Sequence, residues 1–366
     1  MTGPDALRHL PLEDLHIAAG AKFGAFAGWS MPITYPPGVL KEHLHAREKA
    51  GLFDISHMKL VAVHGEGAPA FLSYACPLDA AGMIPGRSKY TVLLDERAGI
   101  LDDLIVTRLA DQRFMIVANA GNAEADIAEL MRRASGFAVV VEPLDRVFLA
   151  LQGPLAESVA ADAGIKVGDM GFMTGLEPAQ GHFMTRSGYT GEDGFEFGLP
   201  EQDARHLVGR LLSDERVQWI GLAARDSLRL EAGLCLHGHE IDRTTTPVEA
   251  GLMWAIPKPV REAGGFVGAA ALARRGAEGA PSRRVGLKPE GRQPVRDGTA
   301  LVDGEGRNIG RVTSGGYGPS VGHPVAMGYI ATSHAAGAPL FAEVRGQRLP
   351  VSVHPLPFVP HRYRKG

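Results

Sequence analysis

An α+β region followed by a small all-β module is the fold class that the sequence predicts, on three observations. Amphipathic helical segments recur through residues 267–275 and then stop. Between them lie short β-rich runs bounded by turn residues, without the strand–helix–strand alternation of a doubly wound fold. Beyond residue 280 only short strands punctuated by Gly and Pro remain, the pattern of a small β-barrel or sandwich.

The elements follow in chain order. A helix is expected over 38–50, after Pro36-Pro37 and ended by Gly51. Strands at 90–94, 100–109 and 114–118 form a meander, the first two joined by the turn residues 95–99. A helix over 122–134 has Asn122 placed to cap it and Gly136 just past its end. Strands at 182–187 and 194–199 flank a Gly-containing hairpin turn. Helices are then expected at 201–213, 221–234 and 267–275, and the Arg-, Ala- and Gly-rich stretch 273–282 reads as a linker. Strands at 284–287, 300–302, 311–314 and 342–344 complete the chain, which divides into residues 1–280 and 281–366.

Composition narrows the function classes. The chain has 366 residues, 45% of them hydrophobic and 22% charged, enough for two or three folded domains and inconsistent with wholesale disorder. Its two cysteines are too few for a disulfide framework or a Cys-rich zinc site, and no metal is expected. A net charge of −3 argues against a nucleic-acid binder. Residues 1–260 carry 23 basic and 34 acidic side chains, whereas residues 261–366 carry 15 and 7. That split suggests a modular chain with an acidic partner for the C-terminal part, or a chance drift of solvated charge between two surfaces. The first 14 residues lack a signal-peptide apolar core, and no run of about 18 apolar residues occurs, so a cytoplasmic, non-membrane protein is expected.

Three features carry candidate chemistry. In Gly99-Ile100-Leu101-Asp102-Asp103-Leu104-Ile105-Val106, two carboxylates interrupt an apolar strand. Simple alternation puts Asp102 beside Ile100 and Leu104, and Asp103 beside Leu101 and Ile105. A carboxylate among aliphatics is costly unless paired or set in a functional cavity, but alternation does not say which one faces a cavity. In the segment 188–197, Glu196 lies opposite Phe195 and Phe197, with Tyr189 across the turn. In the segment 221–231, Arg225 and Arg229 share a helix face; Asp226 can relieve Arg229, and an anionic or carbonyl-bearing ligand can relieve Arg225. His57 reads as a structural histidine, and no G-x-G-x-x-G or phosphate-binding loop with its lysine occurs.

Taken together, the chain resembles the T-protein of the glycine cleavage system, an aminomethyltransferase family. The resemblance rests on FAGWSMP (26–32), GLFDISHM (51–58), GILDDLIV (99–106), GYTGEDGFE (188–196), GLAARDSLRLEAGLCL (221–236), TPVEAGLMWAI (246–256), TSGGYGPS (313–320) and PFVP (357–360), in order along nearly the whole chain. It implies three domains around a central hole, the last a small β-barrel after a folate-binding region of two intertwined subdomains. It also implies transfer of a one-carbon unit from the aminomethyl-lipoyl arm of H-protein to tetrahydrofolate. Ammonia, 5,10-methylenetetrahydrofolate and dihydrolipoyl H-protein are the products.

By position, Asp103 matches the family's catalytic aspartate, Glu196 its pterin-binding glutamate and Arg225 a folate-contacting arginine. Tyr90, Asn119, Tyr189 and Met58 align with further cavity-lining positions, and Tyr363 after the PFVP tail is expected to reach back to the folate. Lys59 stands where a glycine is common, and His237 where a tyrosine is common. Two other readings belong to the same superfamily. A folate-dependent demethylase is disfavoured by the lack of a fused flavin module. A non-catalytic folate-binding protein is disfavoured because Cys235 lacks the neighbouring lysine and tyrosine of that branch.

Overall fold

The computed structural model describes residues 7–365. Its centre is two sheets packed face to face. One has five strands in the order Ser88–Leu94, Ile100–Ala110, Arg113–Ala118, Lys59–His64 and Val140–Leu144. The other has six, in the order Thr174–Leu176, Phe183–Arg186, Gly194–Leu199, Val147–Gln152, Ala50–Asp54 and Val217–Trp219. A three-stranded sheet holds Arg8–His9, Trp29–Thr34 and Lys22–Phe26. Pairing is mostly antiparallel, but Val217–Trp219 runs parallel to Ala50–Asp54, and Arg8–His9 parallel to Trp29–Thr34.

Strand alternation makes the two-sheet arrangement. Leu60 and Ala62, Met115 and Val117, and Phe148 and Ala150 point inward and form a shared core with Phe183, Ala224 and Leu228. Their neighbours Val61 and Val63, and Phe114 and Ile116, face outward beneath the helices Ala68–Ala75 and Ala123–Arg133. Leu149 and Leu151, with Phe195 and Phe197, face outward beneath Ala156–Asp162 and Glu201–Leu212. The sheets approach so closely that a Cβ on Gly198 would sit 2.3 Å from Leu60 Cδ1.

After the helices Lys258–Ala263 and Ala269–Glu278, the chain closes a six-stranded barrel. Its strand order is Ser282–Pro289, His323–Ala331, Asn308–Gly318, Ala300–Asp303, Leu340–Val344 and Gln347–His354. The barrel packs on the helix Leu222–Glu231 through Leu230, Val325 and Met327. Polar contacts fix the joint: Arg229 donates to Ser314 Oγ at 2.8 Å, and Tyr329 donates to the Glu240 carbonyl at 2.7 Å.

Four local expectations change. The first long helix ends at Glu48, and Gly51 lies in the fully buried strand Ala50–Asp54 rather than at a helix stop. Glycine is needed there because a Cβ would meet Ile220 Cγ1 at 2.6 Å. The stretch read as a linker is largely the helix Ala269–Glu278, ended by Gly279 at φ +79°. Asn122 occupies the N-cap position without capping, because its amide instead contacts His237 Nδ1 at 2.8 Å. The link between Phe183–Arg186 and Gly194–Leu199 is a broad loop rather than a tight hairpin turn. Its acids are engaged in ion pairs, Glu192 with Arg47 and Asp193 with Arg186.

Candidate functional site

The strand Ile100–Ala110 carries a bulge that decides which aspartate faces the site. Val92 pairs with Asp103 and Leu93 with Asp102, but Leu94 pairs with Ile100, so Leu101 is the extra residue. Leu101 therefore joins Leu104 in the core under the outer helices, while Ile100 turns to the opposite side with Val92 and Leu94. The simple alternation expected across 100–105 fails at this point. Asp102 is fully buried on the helix side. Asp103 is half-buried and faces the space that the opposing sheet and the 235–256 segment enclose.

Glu196 reaches that space from the other sheet. Its neighbours Phe195 and Phe197 lie in the outer core, so alternation turns Glu196 inward. It is 7% exposed and accepts from Ser187 Oγ at 2.9 Å. Burial raises its pKa, against the opposing pull of the Arg225 charge.

Arg225 comes from the helix Leu222–Glu231. The two arginines on this face are treated very differently. Arg229 is held by Asp226 and Glu240, each at 2.8 Å. Among the described residues Arg225 has no carboxylate contact. Its guanidinium lies over the Tyr189 ring at 4.8 Å, and Nη2 meets Met58 Sδ at 3.9 Å. Its Nη1 is buried without a hydrogen-bond partner among the described residues, and burial lowers the pKa of the group. A buried guanidinium with an unused donor fits a site built to meet a ligand acceptor.

Tyr90, Asn119 and Tyr189 complete the wall. The Tyr90 hydroxyl faces the Asp103 carboxylate, which together with burial raises the tyrosine pKa. Asn119 Nδ2 donates to Asp103 Oδ1 at 2.8 Å and to Asp102 Oδ1 at 3.0 Å. The Tyr189 hydroxyl donates to the Cys235 carbonyl. For Asp103, burial and the neighbouring Asp102 push the pKa up to about 7. The carboxylate is thus poised near neutrality.

Of the residues selected from sequence, Asp103, Tyr90 and Asn119 form one contacting group, and Arg225, Tyr189 and Met58 form another; Glu196 feels the Arg225 charge and Tyr189 that of Asp103. Tyr363 has other neighbours. Its ring stacks on Phe172 with centroids 3.8 Å apart and lies near His361, within a tail where Arg362 pairs with Glu192 at 2.9 Å. Lys59 turns away to Asp145, at 2.5 Å. His57 is buried and neutral, its pKa lowered to about 3 by burial and the Arg225 charge. Sequence reasoning missed Trp254, which is 70% exposed yet stacks on Tyr90 at 5.3 Å and adds an open aromatic face beside that ring. Its place within TPVEAGLMWAI was the available signal.

Comparison with known proteins shows the family. Residues 12–259 match the family model described as GCVT N-terminal domain, and residues 283–360 match that of the glycine cleavage T-protein C-terminal barrel domain. The chain is 42% identical to a mitochondrial aminomethyltransferase of Gallus gallus, covering 99% of this chain and 95% of that protein. It is 40% identical to that of Flaveria trinervia, covering 98% and 91%. The crystal structure of glycine cleavage system aminomethyltransferase T from Bartonella henselae aligns with a TM-score of 0.97 at 61% identity, over 98% of this chain and all of that one. The chain therefore belongs to the glycine cleavage T-protein family, the aminomethyltransferases.

Proposed function

We propose that this chain transfers the one-carbon unit of an aminomethyl-lipoyl arm, carried by H-protein, to tetrahydrofolate in the recess between Asp103, Glu196 and Arg225. The observation that carries this reading is the division of polar groups in the recess. One wall holds a carboxylate poised near neutrality, and the other holds a buried carboxylate beside a guanidinium with an unused donor.

A 2-amino-4-oxopterin presents two adjacent N–H donors, and the Glu196 carboxylate accepts them side by side. Arg225 supplies a donor for a folate acceptor, while Tyr189 and Met58 hold its guanidinium in place. The faces of Tyr90 and Trp254 give flat apolar surface for ring stacking. Tyr363 fits a role toward the outer part of the folate through its stacked, half-buried ring.

In the transfer, the methylene carbon loses its bonds to sulfur and to the amine nitrogen and gains bonds to two folate nitrogens. The protons leaving those nitrogens end on the lipoyl thiol and on ammonia. Asp103 stands where a fixed negative charge stabilises the iminium-like carbon–nitrogen unit and where a near-neutral carboxylate exchanges those protons. The relatives' names place them in mitochondria; we keep the cytoplasm as the proposed location of this chain. Among the described residues no helix is long and apolar enough to cross a membrane.

The test separates chemistry from binding. Asp103→Asn keeps tetrahydrofolate affinity within about threefold while turnover with aminomethylated H-protein falls at least ~100-fold, the size usual for losing a proton-transfer group. Unchanged turnover removes Asp103 from the reaction.

A further inference from the structure

The first aspartate of the doublet points away from the proposed site, yet it is the more deeply buried of the two. Asp102 is fully buried, and the only side-chain hydrogen bond it accepts among the described residues comes from Asn119, on Oδ1. Its Oδ2 has no partner. Against it lies the carboxyl of Asp126, from the first turn of the helix Ala123–Arg133, which is 2% exposed and also has a partnerless Oδ2. Two carboxylates in contact, both out of water and each with an orphan oxygen, cannot both be charged. One proton between them satisfies both oxygens at once. The arrangement also explains why an acid is tolerated at Asp126, on a face that otherwise packs Ile127 and Leu130 against the outer core.

We propose that Asp126 is a positioning residue of this site: it keeps a proton, donates it to Asp102, and so fixes the Asp102–Asn119–Asp103 chain that aims the reacting carboxylate. The links on the active side are the two Asn119 bonds, 3.0 Å to Asp102 and 2.8 Å to Asp103. A lone Asp102 charge would pull the Asn119 amide toward itself and repel Asp103. A proton shared with Asp126 spreads that charge away from the reacting group. Burial and the acid neighbours raise the Asp126 pKa to about 10, so the proton stays in place across the working range. The other groups facing this network are Arg243, which favours the ionised form of Asp126, and Cys76 on the helix side. Tyr90, Cys235 and Tyr189 face it on the site side.

This inference rests on the assignment of Asp103 as the reacting carboxylate, and its test distinguishes the two. Asp126→Ala removes the donor, so Asp102 carries its full charge beside Asp103. Its turnover at neutral pH is expected to drop about 30-fold, with the alkaline-rising limb of the pH–rate profile displaced upward by about one unit. Tetrahydrofolate affinity by calorimetry stays within about twofold, which shows the site still formed. Asp126→Asn restores a neutral donor and recovers activity to within about fivefold of the parent, with the limb back in place. Infrared spectroscopy of the folded parent protein adds a readout independent of activity. A protonated-carboxyl stretch persists at pH 8 and is missing from Asp126→Asn. Equal impairment of the Ala and Asn variants, an unmoved limb in Asp126→Ala, or no such band at pH 8 overturns the role of Asp126. If Asp103→Asn retains full turnover, the assignment of Asp103 itself fails.

Discussion

At the scale of single residues, the two carboxylates of the proposed site are assigned opposite work because their surroundings differ. Among the described residues Glu196 has one protein donor, Ser187, and an opposing charge in Arg225, and the proposed function assigns its free acceptor capacity to a ligand. Glu196→Ala is expected to weaken tetrahydrofolate binding by more than about 2 kcal/mol, the cost of losing a buried charge-assisted pair. Calorimetry showing unaltered affinity contradicts that assignment. Asp103 has a folded pKa near 7, well above its ordinary value of 3.8. Turnover that needs its ionised form rises with pH through that region and levels off above it. The stability consequence has the opposite sign. A carboxyl whose pKa is raised by folding favours the native state at low pH, and that contribution disappears as pH climbs from about 4 to about 7. Asp103→Asn should therefore melt higher than the parent at pH 8 and show no such gain near pH 4, which calorimetric scans at the two pH values check. The acidic doublet was visible in the sequence. Which of its members faces the recess was not, because the bulge at Leu101 breaks the alternation from which orientation is read. Trp254 was hidden for a related reason: a lone aromatic in a three-residue 3₁₀ turn has no periodicity to mark its direction.

At the scale of elements, the loop around 242–245 locks the start of the strand that carries the aspartates. The Ile100 amide donates to the carbonyls of Asp242 and Thr245, and the chain passes so close that a Cβ on Gly99 would lie 2.1 Å from the Arg243 carbonyl oxygen. Gly99→Ala must push that loop away. The expected cost is about 1–3 kcal/mol of stability, accompanied by lower turnover as Asp103 shifts. A melting temperature and rate equal to the parent's would show that the loop gives way freely. Four of the longer helices were legible because one face of each carries apolar residues at helical spacing, whereas Val39–Glu48, which buries Glu42, His43 and Arg47, was legible from the Pro36-Pro37 pair before it. The buried strand Ala50–Asp54 was not, since a run buried on both sides has no alternation and its Gly51 reads as a stop signal. Nor was the true extent of the last helix, whose Ala- and Arg-rich end has the composition of a linker but good intrinsic helix propensity.

At the scale of the whole molecule, the proposed site lies where two sheets share a core and the barrel packs on the helix that carries Arg225. The charge split now has a structural position: the basic stretch 261–366 includes every barrel strand, while the acids of the recess come from the acidic remainder. If this basic part steers an acidic lipoyl carrier, association should slow at least about tenfold between low and near-physiological salt. Stopped-flow rates independent of ionic strength would place docking elsewhere. The account as a whole is tested most directly by ammonia release from aminomethylated H-protein, with and without tetrahydrofolate. It predicts rapid ammonia release only when folate is present, matched one for one by 5,10-methylenetetrahydrofolate. Ammonia released equally fast without folate, or none released with it, would contradict the account.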